Sequence, residues 1–423
     1  MGRYFIATLG CKLNQFDSAR AEGWLREGRH TPTDDPAQAD LIVLNTCTVT
    51  MKADADGRRL ARRLRRLNPH ARIIATGCYA EREPEALEGL GVVDEVVGLS
   101  ERERLPALLG GKDACSTASI DLFFGDRSRA FLRVQEGCDL ACSYCVIPSV
   151  RGPSRSTAPE TIIAAARRLA RRGVREIGLT GVNTGSWGAD LQPRRELCDL
   201  LEELVEALAG EAVPPRLRLN SLEPRTVNRR LLDLMATAAP RIAPHLQIPL
   251  QSGSDAVLAR MSRNYRRHHY RRVIEQAAER VPEICLGADV ITGFPGESPE
   301  DHRQTLALIE DLPLAYLHVF TYSPRPTTRA AELAHPVPER LARARTAELR
   351  ALGRAKARAF RTRAVGRVLP ALGLDAVAED GAVRALSANY IEVLVEGAPR
   401  GELFDLRVTG LEDDGQVVRG EMA

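Results

Sequence analysis

Lysine is almost missing from this chain. Of 59 basic residues only Lys12, Lys52, Lys112 and Lys356 are not Arg. Aromatic residues are scarce, at 4% of 423. No stretch reaches the roughly 18 apolar residues that a membrane helix needs. The opening MGRYFIATLGC lacks the basic start and long apolar core of a secretory signal. The formal charge is only +3, so no global field dictates a nucleic-acid partner. Nine cysteines in a chain this long do not look like a disulfide framework. These absences predict a cytoplasmic protein with reduced thiols and no membrane partner. The Arg skew is what a GC-rich genome produces, yet Arg grips phosphates bidentately wherever it lies on a binding face. The length suggests two or three domains, and a hydrophobic content of 44% is ordinary for a globular protein.

What is present is led by Cys138, Cys142 and Cys145, in the run GCDLACSYCVIP. The spacing C-x3-C-x2-C supplies three thiolates from one loop and no fourth. Three soft ligands suit a metal site with one open position, and an open position implies chemistry rather than scaffolding. A structural zinc site needs four ligands. No histidine lies between His70 and His245, so zinc would require a distant partner.

The first part of the chain alternates strand and helix. Tyr4–Leu9, LIVLN from Leu41 and RIIAT from Arg72 read as strands. The stretches Asp17–Gly28 and Asp54–Leu67 read as helices. Alternation of this kind predicts a parallel sheet covered by helices. Cys11, Cys47 and Cys78 each fall just past a strand end, where open α/β sheets bind ligands. Read together they form a second three-thiolate site; read separately they are three buried cysteines.

From about Ala130 six further strand-like runs alternate with helical ones: FLRVQEG, EIGLTGVNTGSWG, RLRLNSLEP, HLQIPLQSGSD, ICLGADVITGFPGE and LHVFTYSPRP. They predict a partial (β/α) barrel with its reactive face at the C-terminal rim. Between Glu339 and Arg367 ten Lys or Arg stand against two Glu. That segment reads as a linking helix with either a solvated or a phosphate-contacting face. The tail from Val368 is β-like and reads as a small barrel. It holds four Arg against eleven Asp or Glu, odd for an RNA binder: either a small basic face or Tyr390 and Phe404 stacking on bases serves RNA, or the barrel packs mainly against the core. Cys115 in a linker, Cys198 on a helix and Cys285 in a strand are read as structural.

The cysteine loop, with Tyr144 before its third cysteine, resembles the cluster loop of the radical S-adenosylmethionine (SAM) superfamily. TLGCKLNQFDS, NTCTVT and TGCYA resemble the N-terminal domain of the methylthiotransferases. RGPSRS, RLNSLEP, PLQSGSD, ADVITGFPGE and TYSPRPTTRAAEL resemble their radical SAM core, and the tail resembles a TRAM domain. The resemblance spans nearly the whole chain. It implies three units: an α/β parallel-sheet domain at 1–125, a partial (β/α)6 TIM-like barrel at 126–362 and a TRAM-like β-barrel at 363–423.

By that resemblance, Cys138, Cys142 and Cys145 hold a [4Fe–4S] cluster whose open iron takes SAM. Cys11, Cys47 and Cys78 hold a second [4Fe–4S] cluster that presents sulfur. A radical made at the first removes a hydrogen, and a methylthio group replaces it. Lys12 and Leu13 make the start most similar to enzymes acting on N6-threonylcarbamoyladenosine beside the anticodon of tRNA. Enzymes for isopentenyladenosine usually carry GCQMN there, and those for a ribosomal protein aspartate GCPKN. A non-catalytic iron–sulfur protein that binds RNA or carries electrons is the alternative of another class. The implied partners are tRNA, an electron donor such as flavodoxin or ferredoxin, and a sulfur donor. Asn183, Ser221, Glu223, Gln247 and Asp289 lie near strand ends facing the expected SAM site. There they either contact ribose and the methionine part or cap helices. Tyr144 packs on adenine or excludes water. For RNA the expected surfaces are the 339–367 helix and Arg58, Arg59, Arg62, Arg63, Arg65 and Arg66.

Overall fold

A computed structural model describes residues 2–111 and 128–423, apart from the side chain of residue 414. Cys115 and the expected domain limit at 125/126 lie outside the described residues. The chain builds an all-parallel five-stranded sheet, two parallel three-stranded sheets and a closed five-stranded barrel, with one two-stranded ribbon.

The N-terminal sheet runs in the order Thr31–Pro32, Arg3–Thr8, Leu41–Thr46, Arg72–Gly77, Glu95–Val97. Leu41–Thr46 is buried at every residue, as expected of a central parallel strand covered on both faces. The strands ending at Thr8, Thr46 and Gly77 are neighbours in register, with Thr8 opposite Asn45 and Thr46 opposite Gly77. Their C-terminal ends therefore share one rim, and Cys11, Cys47 and Cys78 follow on it. The first helix corrects the sequence reading: it spans Lys12–Glu27 rather than starting at Asp17, with Cys11 as an N-cap that makes no side-chain bond. The next helix, Met51–Leu67, also starts early, because Thr50 caps it through Ala53 N.

All six expected barrel strands are present. One sheet joins Arg129–Arg133, Glu176–Thr180 and Arg216–Leu219; the other joins His245–Gln247, Cys285–Thr292 and Tyr316–Thr321. A parallel bridge between Leu217 and Ile242 links the two halves. Helices Pro159–Arg171, Leu197–Ala209, Arg267–Arg280 and Pro299–Asp311 cover the outside. Their apolar faces and the outward strand residues make one core, which includes Ile162, Leu201, Leu217, Ile274 and Leu308. Cys198 and Cys285 are buried in the barrel walls, in keeping with structural roles.

The helix Glu339–Thr362 leads to the antiparallel C-terminal barrel, which begins at Val368 and is TRAM-like as expected. This barrel plugs the N-terminal end of the larger one. Arg218, pointing inward, donates to Ala388 O (3.1 Å) and Ser387 O (3.3 Å), and Arg216 to Leu386 O (3.2 Å). Tyr390 stacks on His245 with ring centres 4.1 Å apart and lies under the guanidinium of Arg218. Of the alternatives for Tyr390, packing against the core is the one observed, and base stacking is set aside: its ring seals a protein interface. Phe404 packs against the small barrel's own core.

Candidate iron–sulfur and cofactor site

On the N-terminal rim, Asn14 organises the cysteines. Fully buried on the first helix, its amide donates to Leu9 O (2.7 Å) and Thr46 O (2.9 Å), tying two strand-end loops together. Gly10 sits at φ +100°, and a Cβ there would lie 2.8 Å from Cys47 Sγ. Only glycine lets the Cys11 loop approach Cys47 so closely. The three thiols are within electrostatic reach of one another: charge on Cys11 acts on both Cys47 and Cys78. Burial dominates, raising Cys47 and pushing Cys78 up to about 12.

The second trio sits in the loop after Gln135–Glu136. Gly137, at φ +73°, lets that loop turn where a Cβ would overlap Pro153 O. Leu140 N points at Cys138 Sγ (3.4 Å), a donor suited to a thiolate. Ser143 anchors the loop to the barrel through Arg260 O (2.8 Å) and Met261 O (3.0 Å). Burial raises Cys138 and pushes Cys145 up to about 12, with Cys142 adding to both. Thiols held neutral in this way become ligands only when a cation replaces the proton.

The donor set fits a cluster better than a single ion. A zinc tetrahedron gathers its sulfurs roughly 4 Å apart. Among the described residues no three His, Cys, Asp or Glu side chains are arranged to hold one metal ion. A cluster presents a separate iron to each thiolate and so accepts a wider triangle.

Two arginines reach the sulfurs. Arg151, carried by the barrel, donates to Cys78 Sγ (3.3 Å), Asn14 (2.8 Å), Asp17 (3.0 Å) and Glu136 (3.0 Å). Arg263 donates to Cys142 Sγ (2.9 Å) and pairs with Glu223. A third, the buried Arg325, binds Asp54 (2.6 Å) and Thr48 (2.9 Å), next to Cys47. Composition marks Arg as abundant but gives no sign that Arg151 and Arg325 hold the two units together or that Arg263 braces the cysteine loop within the barrel. The RGPSRS and TYSPRP motifs contain Arg151 and Arg325 without announcing that role.

The expected SAM contacts fall into separate places. Gln247 donates to Asp289 (2.7 Å), and His318 joins the pair (3.2 Å), a third member that the sequence does not announce. Glu223 faces the same interior; burial pushes its carboxyl up despite Arg263. Ser221 is a non-glycine residue at φ +59°, a conformation found where function holds the backbone. Asn183 is buried with its side-chain oxygen unpartnered. Neither Asn183 nor Glu223 caps through its side chain, so the capping alternative fails for both. Tyr144 packs edge-on against Phe294, ring centres 6.4 Å apart. No hydrogen bond or ring stacking among the described residues joins Tyr144 or Asn183 to the Gln247–Asp289 pair.

Residues 3–98 match the family described as "Uncharacterized protein family UPF0004", and residues 132–309 match the Radical SAM superfamily. Over 407 residues the chain is 35% identical to the threonylcarbamoyladenosine tRNA methylthiotransferase MtaB of Aquifex aeolicus, covering 92% of this chain and 96% of the relative. The chain belongs to the radical SAM methylthiotransferase family. A second relative, the tRNA-2-methylthio-N(6)-dimethylallyladenosine synthase of Chromobacterium violaceum, is 34% identical and is covered to 96% by 97% of this chain. Among solved structures the radical S-adenosylmethionine methyltransferase TsrM of Kitasatospora setae shares the fold. Its TM-score is 0.56 at 16% identity, over 78% of this chain and 76% of that one.

In this methylthiotransferase the surfaces expected to meet RNA are partly internal. Arg58 donates to Tyr79 (2.6 Å). Arg65 binds Val92 O, Ala71 O and Asp94. Both are structural, which corrects the expectation. Arg59, Arg62, Arg63 and Arg66 are exposed on the outer face. On the long helix Arg345 is buried against Glu297 (2.7 Å), Lys356 caps Glu310 O and Leu312 O, and Arg361 holds Gly415 O of the small barrel. Arg345 and Lys356 thus brace the larger barrel and Arg361 joins it to the small one, while Arg340, Arg343, Arg350, Arg354 and Arg363 of the same segment are exposed.

Proposed function

We propose that this enzyme transfers a methylthio group to C2 of N6-threonylcarbamoyladenosine at position 37 of tRNA. The observation that carries the reading is the pair of cysteine trios on two facing domains, one on the sheet rim and one in the barrel loop. Cys138, Cys142 and Cys145 would hold the cluster that works with SAM, and Cys11, Cys47 and Cys78 a second cluster. When bound, these groups supply a radical able to take hydrogen from an unactivated C–H and a sulfur to replace it. The chain's own residues hold both sites in place: Arg151 and Arg263 steady the sulfurs, and Tyr144 with Phe294 walls one side. Gln247 with Asp289, together with Ser221, Glu223 and Asn183, offers polar partners for SAM.

Three relatives named for threonylcarbamoyladenosine are 31–35% identical, and four named for dimethylallyladenosine are 32–35%. Identity does not separate the substrates; the KLN triplet after Cys11 supports the first. Family membership sets aside the non-catalytic alternative. We assign residues 1–125, 126–362 and 363–423 to the three units. The reading further calls for a flavodoxin- or ferredoxin-like electron donor, a sulfur donor and a cytoplasmic setting; no helix among the described residues is long and apolar enough to cross a membrane.

Mass spectrometry of tRNA nucleosides from a deletion strain tests the substrate. The 2-methylthio form of threonylcarbamoyladenosine should vanish. Its persistence at the normal level, in a strain without a second such enzyme, would refute the assignment, and loss of the isopentenyl form instead would establish the rival.

A further inference from the structure

Lys12 opens the first helix, one residue past Cys11. Its side chain leaves the sheet domain and enters the barrel, where Nζ donates to Asn220 Oδ1. Among the described residues that is its only hydrogen bond. Asn220 follows the inward-facing Arg218, and its own amide donates to Leu179 O (3.1 Å), so its oxygen is aimed at the lysine. An ammonium has three donors. Asn220 takes one, and two stay available to a ligand.

The charge balance around Lys12 is lopsided. Arg129, Arg216 and Arg218 all bind the single carboxylate of Glu176. Asp289 is held by Gln247 and His318. Lys12, Arg129 and Arg218 thus face two carboxylates, and both carboxylates have nearer partners than Lys12. A partly buried ammonium without a counter-ion is unfavourable, and an incoming anion relieves it. The place is also distinctive. The backbone of Lys12 continues from a cysteine of one trio, while its tip lies in the barrel that carries the other. A molecule touching that tip lies between the two halves of the chemistry, where the target base has to be.

We propose that Lys12 and Asn220 form a carboxylate-binding subsite that grips the free acid of the amino-acid group on N6 of the target adenine. This rests on the substrate proposed above and explains how it is told from a neutral, purely hydrocarbon N6 substituent: only the amino-acid form brings the anion the cavity lacks. The ammonium then makes charge-assisted bonds to the acid while Asn220 holds the lysine in place.

The test uses anaerobically reconstituted full-length protein and two anticodon stem-loop RNAs. One carries N6-threonylcarbamoyladenosine; the other is identical except that its carboxylate is a carboxamide. Binding is followed by fluorescence anisotropy and turnover by mass spectrometry. Wild type should prefer the free acid by roughly tenfold or more, the scale of one hydrogen bond to a charged group. K12Q should bring the two RNAs to within about twofold. N220D, which gives the lysine a permanent carboxylate partner from the barrel side, should do the same even if K12Q disturbs the neighbouring Cys11. A tenfold preference that survives in both variants, or a wild type indifferent to the carboxylate, overturns the subsite. Loss of RNA-free SAM cleavage in K12Q would place the lysine on that cofactor and overturn it too. Failure of the substrate reading looks different: wild type would act on neither RNA and would accept an isopentenyladenosine stem-loop.

Discussion

Arg151 Nε lies 3.3 Å from Cys78 Sγ, joining a barrel residue to a thiol on the neighbouring domain's sheet. The same guanidinium binds Asp17 and Asn14 on that domain and Glu136 on its own. Its side chain is 1% exposed. This residue therefore ties the barrel to the domain of the other cysteine trio, alongside Arg325 with Asp54. R151A should lower stability by about 1–3 kcal/mol, because the buried Asn14 oxygen loses this donor while Glu136 keeps Arg102 and Arg133 and Asp17 keeps Arg133. It should also lower the iron retained after anaerobic purification. An R151A protein with wild-type melting temperature and full iron content would show that the junction does not depend on this guanidinium.

On the proposed function, the two trios should be separable by substitution. C142A should abolish release of 5′-deoxyadenosine from SAM, whereas C47A should keep that release and lose methylthiolation. Each variant should hold roughly half the wild-type iron, since three thiolates per cluster is the minimum here and a trio reduced to two does not hold it. Iron and sulfide analysis with product chromatography reads both. Equal loss of cleavage in two folded variants would argue against independent clusters.

How much of this is legible in the sequence follows from where the information sits. The strand-end cysteines and all six barrel strands can be read because local spacing and alternation encode them. The start of the first helix at Lys12 cannot, because Cys11 offers no capping bond and Gly10 reads as a turn. The partners of Arg151, Arg263 and Arg325 lie far along the chain from them: Arg325 meets Asp54 across 271 positions. No periodicity announces such a pair. Arg58 and Arg65 mislead for the same reason. A helix rich in Arg looks alike from sequence whether a given side chain points outward or bends back onto Tyr79 or Asp94. Tyr390 misleads because an aromatic on an isolated small barrel resembles a base platform, and only docking reveals His245 beneath it.

Glu176 should dominate the acid behaviour of the barrel–barrel interface. Burial opposes its charge, but Arg218, Arg216 and Arg129 outweigh that and hold its carboxyl well below the usual range. A depressed carboxylate stabilises the fold above its ordinary value near 4.5 and loses that contribution as pH falls toward the folded value. E176Q should therefore cost on the order of 3–5 kcal/mol at pH 7 and pH 6 alike. The difference from wild type should narrow below about pH 4.5. Urea denaturation of both proteins across that range tests the sign; a gap that widens in acid would mean the three arginines do not hold the charge.

The exposed arginines of the helix Met51–Leu67 stay candidates for binding RNA once Arg58 and Arg65 are removed from the set, beside the exposed arginines of the 339–367 segment. Arg62, Arg63 and Arg66 share its solvent face with Arg59, and Arg59 already has Asp56 at 3.0 Å. Removing one arginine that neutralises a phosphate should weaken tRNA binding and flatten its salt dependence by roughly one unit of log–log slope. The triple variant R62E/R63E/R66E should thus bind tRNA at least tenfold more weakly at low salt, with a shallower slope and unchanged melting temperature. R65E makes the counter-case. Its side chain holds Val92 O, Pro69 O, Ala71 O and Asp94, so its chief effect should be a lower melting temperature. Binding titrations at several salt concentrations decide between them: a triple variant that keeps the wild-type slope would move the RNA-binding surface to another face of the enzyme.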